Sequence, residues 1–228
     1  MKRILTFCFL LVAGISSAQF AIIADKDGFC NVRSSAEKGN NIIDTLENGH
    51  LVYCFERKAN WINIDYTKRK QELNGQVYND RLLLISTYAS IPVSTERNAG
   101  VTLRKDSITI IVTEKKFERS KHRLSFYKEY PDQLEFIDRK KYWGTDGGIP
   151  TTEYKSIEVL IGKRKIVLPA TAIANLYEVN VLNTEANYDQ ENDILYIQSM
   201  NSDGAGHYEV VWKIEKGMYK GRLVAYGF

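Results

Sequence analysis

The sequence predicts an all-β protein, on three observations. Apolar and polar residues alternate through most of the chain, the period of a strand whose two faces meet different surroundings. Turn pairs punctuate those runs at Asp27-Gly28, Asn48-Gly49, Asn74-Gly75 and Lys216-Gly217, where glycine tolerates positive φ and Asn or Asp bonds its own backbone. Only one short stretch, after Pro169, has helical spacing.

The chain opens with Lys2 and Arg3, an apolar run over residues 4–15, and Ser16-Ser17-Ala18 before Gln19. A short positive end, an apolar stretch and small residues at −3 and −1 predict a secretory signal peptide over residues 1–18. The run is shorter than the roughly 20 residues a membrane span needs. Cys8 sits inside it, not after a small-residue cleavage site, so a lipoprotein anchor is not expected. Cleavage would leave 210 of the 228 residues, with 29 basic and 28 acidic side chains. The expected location is secreted or periplasmic, with no membrane span in the mature chain.

The first block, residues 19–86, carries strand patterns over 21–24, 29–33, 51–57, 61–66, 75–78 and 81–84. Ile42, Ile43 and Leu46 mark a segment returning toward them. Residues 87–100 mix Ser, Thr, Pro and Gly and read as a linker. The second block, residues 101–228, is β-rich and antiparallel, a sandwich or a meander. Its strands are expected over 101–104, 107–113, 123–130, 134–138, 155–161, 166–168, 193–200, 208–215 and 218–226. In the strand over 208–215, Tyr208, Val210, Trp212 and Ile214 share one face while Glu209, Lys213 and Glu215 mark the other, the pattern of a half-buried strand. Pro169 opens the short helix, with Ile173, Leu176 and Tyr177 on one side, a plug over the end of a sheet.

One ordered set of residues in the first block carries a resemblance. Asp27-Gly28 precedes Asn31-Val32-Arg33-Ser34-Ser35; Gly49 leads into Val52 and Cys54; Trp61 follows, then Gly75 and Val77 before Arg81-Leu82. This order resembles a bacterial SH3-like (SH3b) domain over residues 19–86. The resemblance implies a small barrel with Val32 inside it and an envelope binding module of a kind that often recognises peptidoglycan peptides. Trp61 is large enough to serve as the barrel's main core anchor. Two features depart from the family: Gln76 stands where an aromatic residue is frequent, and the loop over residues 67–73 is long and charged. On the family's aromatic-groove pattern, Trp61, Tyr53 and Tyr78 are candidate ligand-binding residues, with Arg33 the partner for a carboxylate. Trp61 serves equally well as core or as contact.

Charge and cysteine narrow the function classes. Residues 19–86 hold nine residues of each sign, and a balanced block lacks the concentrated basic face of a nucleic-acid binder. Cys30 and Cys54 remain after cleavage. They form either a disulfide, worth about 3 kcal/mol for a loop of this length, or two buried thiols packed as small hydrophobes.

Thiol catalysis has no support. The second block has no cysteine, and His50 lies four residues before Cys54, roughly 13 Å along one strand. His122 and His207 fall on different segments without a metal-ligand spacing, and there is no Gly-x-Ser-x-Gly elbow. No cofactor or metal is expected. Residues 189–193 look like the start of a calcium loop, but Ile194 and Met200 occupy its glycine and glutamate positions. A polar turn explains them better.

Two Asp-bearing glycine loops, residues 142–150 and 202–206, are either ligand-contacting loops or ordinary hairpin chemistry. Tyrosines 127, 130, 142, 154, 177, 188, 196, 208, 219 and 226 of the second block, among the fourteen of the chain, make either an amphipathic surface or half-buried strand positions.

The expected function is an exported, non-enzymatic binding protein whose SH3-like module recognises a cell-envelope peptide, peptidoglycan or a protein partner. Two alternatives stand beside it. One is a cell-wall or glycan hydrolase using carboxylates of the second block. The other is an inhibitor or immunity-like protein that caps a partner.

Overall fold

A computed structural model describes residues 19–227; the expected leader over residues 1–18 lies outside the described residues. The fold is all-β and antiparallel, as the alternation predicts. The first block contributes β1 (Gln19–Ile23), β2 (Phe29–Arg33), β3 (Ile42–Glu47), β4 (Leu51–Lys58), β5 (Trp61–Lys68), β6 (Gln71–Tyr78) and β7 (Leu82–Leu84). They form one curled seven-stranded sheet in the order β3-β2-β6-β5-β4-β1-β7. Its concave side is filled by Ala21, Ile23, Val32, Leu46, Ile64 and Val77. Gly75 is required there by close approach: a β-carbon on it would stand 2.4 Å from Val32 Cγ1.

The second block is a sandwich. One sheet runs β15-β14-β11-β10-β9, from β9 (Val93–Arg97), β10 (Gly100–Lys105), β11 (Ile108–Lys116), β14 (Thr152–Ile161) and β15 (Arg164–Val167). The other runs β19-β18-β17-β16-β8, from β8 (Ala89–Ser90), β16 (Thr184–Asp189), β17 (Ile194–Asn201), β18 (Tyr208–Glu215) and β19 (Met218–Ala225). A separate hairpin, β12 (Leu124–Phe126) with β13 (Leu134–Ile137), closes one end.

Between the sheets lie Val101, Ile110, Ile157, Ile197, Val210 and Trp212 among others. The segment after Pro169 makes a single helical turn, α1 (Ala170–Ile173). Trp212 Nε1 and the Arg222 guanidinium each donate a 2.7 Å bond to the Ala172 carbonyl, so the turn plugs the sandwich.

The segment expected as a linker is instead built into the second block. Residues 89–90 pair with β16, and β9 pairs with β10. Short strands rich in Ser, Thr and Pro give too little apolar alternation to be read as β.

The two blocks share a third core. Phe20, Ile22 and Tyr53, on the convex side of the curled sheet, pack against Tyr196, Val211, Leu223 and Ala225. Successive side chains of a strand point to opposite faces, so β1, β4, β17 and β18 are buried on both sides where they cross this seam. The half-buried pattern read for β18 holds, with Glu209, Lys213 and Glu215 partly exposed opposite the buried Tyr208, Val210, Trp212 and Ile214. The seam covers that second face in part: Val211 is fully buried, and the Lys213 ammonium donates to the Gly49 carbonyl at 3.3 Å.

Candidate functional site

Trp61 and Tyr78 are register partners on β5 and β6. With residues 62, 64 and 77 turned into the curled sheet, both aromatic rings face outward. Their rings meet edge to face with centroids 5.2 Å apart, the geometry that aromatic quadrupoles favour. The core-anchor expectation for Trp61 is therefore corrected: it is half-buried on the outer face, and smaller residues fill the interior.

Arg33, at the end of β2, joins this pair across the sheet, since it is paired with Gln76 of the same β6 face. Its Nη1 donates to the Gly39 carbonyl at 2.8 Å and to Asn41 Oδ1 at 2.7 Å, which fixes the following loop beneath the guanidinium. The Lys38 ammonium from that loop stands 5.6 Å from the Tyr78 ring centroid, a cation–π contact. Together with Asp25, Asp27, Asp80 and Arg81 these residues line an open cleft of about 440 Å³.

The cleft has a satisfied side and an unsatisfied side. Arg81 pairs with Asp25 and with Asp80, each at 3.0 Å. Among the described residues neither Arg33 nor Lys38 forms an ion pair with a carboxylate. Arg33 and Lys38 thus stand beside two aromatic faces with no carboxylate within ion-pair distance, although Asp25, Asp27 and Asp80 line the same cleft.

Of the four residues expected to bind ligand, Arg33, Trp61 and Tyr78 are brought together and Tyr53 is not. Tyr53 is wholly buried in the seam between the blocks, where its phenol donates to Glu209 Oε1 at 2.9 Å. It is corrected from a contact to a structural residue. Odd and even positions of β4 face opposite sides, so Tyr53 points away from Val52 and Cys54 and into the second block. The missed residues of the cleft are Lys38 and Arg81. Lys38 lies in a loop whose path no sequence pattern fixes.

Both cysteines are free and buried. Burial pushes the Cys30 thiol up to about 11 and the Cys54 thiol up to about 12, so neither is a thiolate nucleophile near neutral pH. His122 has a setting that spacing alone could not reveal. Its Nδ1 lies 2.8 Å from Asp138 and its Nε2 3.3 Å from Glu153, with the ring stacked on Phe117. That ties the β12–β13 hairpin to β14. Among the described residues no group of three His, Cys, Asp or Glu side chains is placed to hold a metal ion. None of the described helices is long and apolar enough to cross a membrane.

The two glycine loops of the second block meet. Ser202 Oγ donates to the Gly144 carbonyl at 2.7 Å, and a β-carbon on Gly206 would come 2.7 Å from that same carbonyl. They bring Asp146, Glu178 and Asp203 to one broad opening. Glu178 is occupied as a clamp, accepting from both the amide and the hydroxyl of Thr151. Asp189 accepts from Asn192 in a tight turn between β16 and β17, the polar turn expected in place of a calcium loop.

Comparison with protein-family models, with curated proteins and with solved structures finds no match.

Proposed function

We propose that the protein is an exported, non-enzymatic binding protein whose first block is an SH3-like module. It captures a carboxylate-bearing peptide of the cell envelope, such as a peptidoglycan stem peptide, in the cleft between Arg33, Lys38, Trp61 and Tyr78. One observation carries this reading: two cations without carboxylate partners stand beside an outward-facing Trp–Tyr pair. Arg33 offers planar donors to a carboxylate, and the indole and phenol faces supply apolar contact along a peptide at low entropic cost. Asp25, Asp27 and Asp80 in the same lining offer acceptors to an amine of the same ligand.

The test uses the full chain from Gln19, because the seam buries Phe20, Ile22 and Tyr53 and an isolated first block would expose them. The chain is immobilised and offered purified wall fragments and an envelope extract, with the Arg33→Ala/Trp61→Ala double variant as control. Retention of wall fragments by the parent and not the variant supports the proposal. Equal retention, or none, removes it, and retention of a single protein from the extract would redirect it to a protein partner.

A further inference from the structure

A second surface, remote in sequence from the Arg33 cleft, has a different chemistry. The β12–β13 hairpin and the glycine loop after it form an open groove of about 620 Å³. Half of its aromatic lining is exposed: Tyr127, Tyr130 and Tyr226 are 44%, 63% and 56% exposed. Large phenols left in solvent at this density are what protein–protein contact surfaces use.

Tyr142, Trp143 and Tyr226 are held in place. Tyr142 donates to the Leu134 carbonyl at 2.8 Å, and the Trp143 and Tyr226 centroids stand 4.3 Å apart. The loop beneath is fixed as well. The Leu134 amide donates to the Gly147 carbonyl and the Thr145 hydroxyl to the Gly148 carbonyl, both at 2.7 Å. Preformed aromatic surface costs little ordering on binding.

The charge is one-sided. Glu72, Glu129, Glu135 and Asp146 line the groove against one cation, Lys141. These carboxylates come from separate elements: β6, the hairpin turn, β13 and the glycine loop. A cation is attracted both by such carboxylates and by the electron-rich faces of the rings. A groove much larger than one ammonium group, lined by four carboxylates from separate elements, fits several positive charges spaced along a chain.

We propose that this groove docks a basic polypeptide segment of a partner protein, its Arg and Lys side chains laid across Tyr127, Tyr130 and Tyr226 and held by the surrounding carboxylates. This does not depend on what the Arg33 cleft binds.

The experiment is a fluorescence-anisotropy titration of the full chain from Gln19 with a labelled Gly-Arg-Gly-Lys-Gly-Arg-Gly peptide, at low and at physiological salt. Saturable binding that weakens with salt is expected. Tyr130→Ala should weaken it about tenfold, as should Glu129→Gln combined with Glu135→Gln. Tyr130→Phe should bind as the parent does, and Arg33→Ala should leave it unchanged, which separates this groove from the other cleft. All these positions apart from Glu135 and Arg33 are exposed, and thermal melts confirm that each variant is folded. The inference is overturned if the peptide fails to bind, if the groove variants bind it equally, or if a peptide with Glu at the basic positions or a neutral oligosaccharide binds more tightly.

Discussion

The phenol of Tyr53 and the carboxylate of Glu209, 156 residues apart, meet at 2.9 Å across the seam between the curled sheet and the sandwich. The contact lies beside the shared apolar core of Phe20, Ile22, Val211 and Leu223, with Tyr53 fully buried and Glu209 half-buried. It makes the two blocks one packed body instead of two domains on a linker.

Tyr53→Phe removes the donor and leaves a half-buried carboxylate short of a partner. A loss of about 1–3 kcal/mol in unfolding free energy is expected, read by urea denaturation with a single transition for both blocks. Two separate transitions in the parent protein would show that the seam does not couple them.

Glu209 also gives a pH signature. Burial raises its carboxyl above the usual value of 4.5, outweighing the lowering by Tyr53 and His207. A raised folded-state pKa means the fold holds the proton more tightly than the unfolded chain does. The stabilising contribution is therefore complete below the unfolded value and is lost as pH rises through the folded one. Melting temperatures of the parent relative to Glu209→Gln should fall as pH rises from the ordinary carboxyl value of 4.5 through the raised folded-state one. A constant difference across that range would refute the assignment.

Gly75→Ala places a methyl against Val32 Cγ1 and 3.0 Å from the Arg33 carbonyl. Overpacking of this kind costs about 1–3 kcal/mol. Adding Val32→Ala should recover part of the loss, because the side-chain clash is relieved while the carbonyl contact stays. Thermal melts of the two variants decide it; equal losses would mean that Val32 is not the obstacle.

The Tyr196 hydroxyl is buried in the seam without a hydrogen-bond partner among the described residues. An unsatisfied buried donor carries its desolvation cost in full. Tyr196→Phe should accordingly be neutral or stabilising, by up to about 1 kcal/mol. A clear destabilisation would mean that the hydroxyl is satisfied in solution.

Cys30 and Cys54 are buried free thiols. A thiol reagent should find neither in the native protein and both after denaturation, and a reductant should not shift the melting temperature. An intact mass short of two hydrogens, restored by reduction, would show a disulfide instead.

Much of this fold was legible because strands with one wet face announce themselves. β2, β5, β10 and β11 all fall where alternation predicted them, and three of the four proposed contacts, Arg33, Trp61 and Tyr78, share one cleft. Other parts were hidden for physical reasons. β16 reads as polar because its buried positions include Thr184 on one face and Asn187 and Asp189 on the other, whose side chains are satisfied by the Val181 and Tyr88 carbonyls and by Asn192. β8 and β9 are short and exposed, so they resemble a linker. The strand expected over 123–130 is shorter than its apolar pattern, because the chain leaves the hairpin after Phe126. Tyr53 was misread as a contact because a single sequence does not say that the second face of a strand will be covered by another block. The run Val52-Tyr53-Cys54, buried at every position, held that signal.

The most direct measurement of the proposed activity is a nitrogen-15 NMR titration of the full chain from Gln19 with a purified muropeptide carrying free carboxylates. Binding in the cleft predicts saturable movement of the Trp61 indole resonance and of the Arg33 and Tyr78 amides, with the Trp143 and Trp212 indoles still, and loss of the effect in Arg33→Ala. A Trp61 resonance that stays fixed at millimolar muropeptide, or shifts that map away from the cleft, would contradict it.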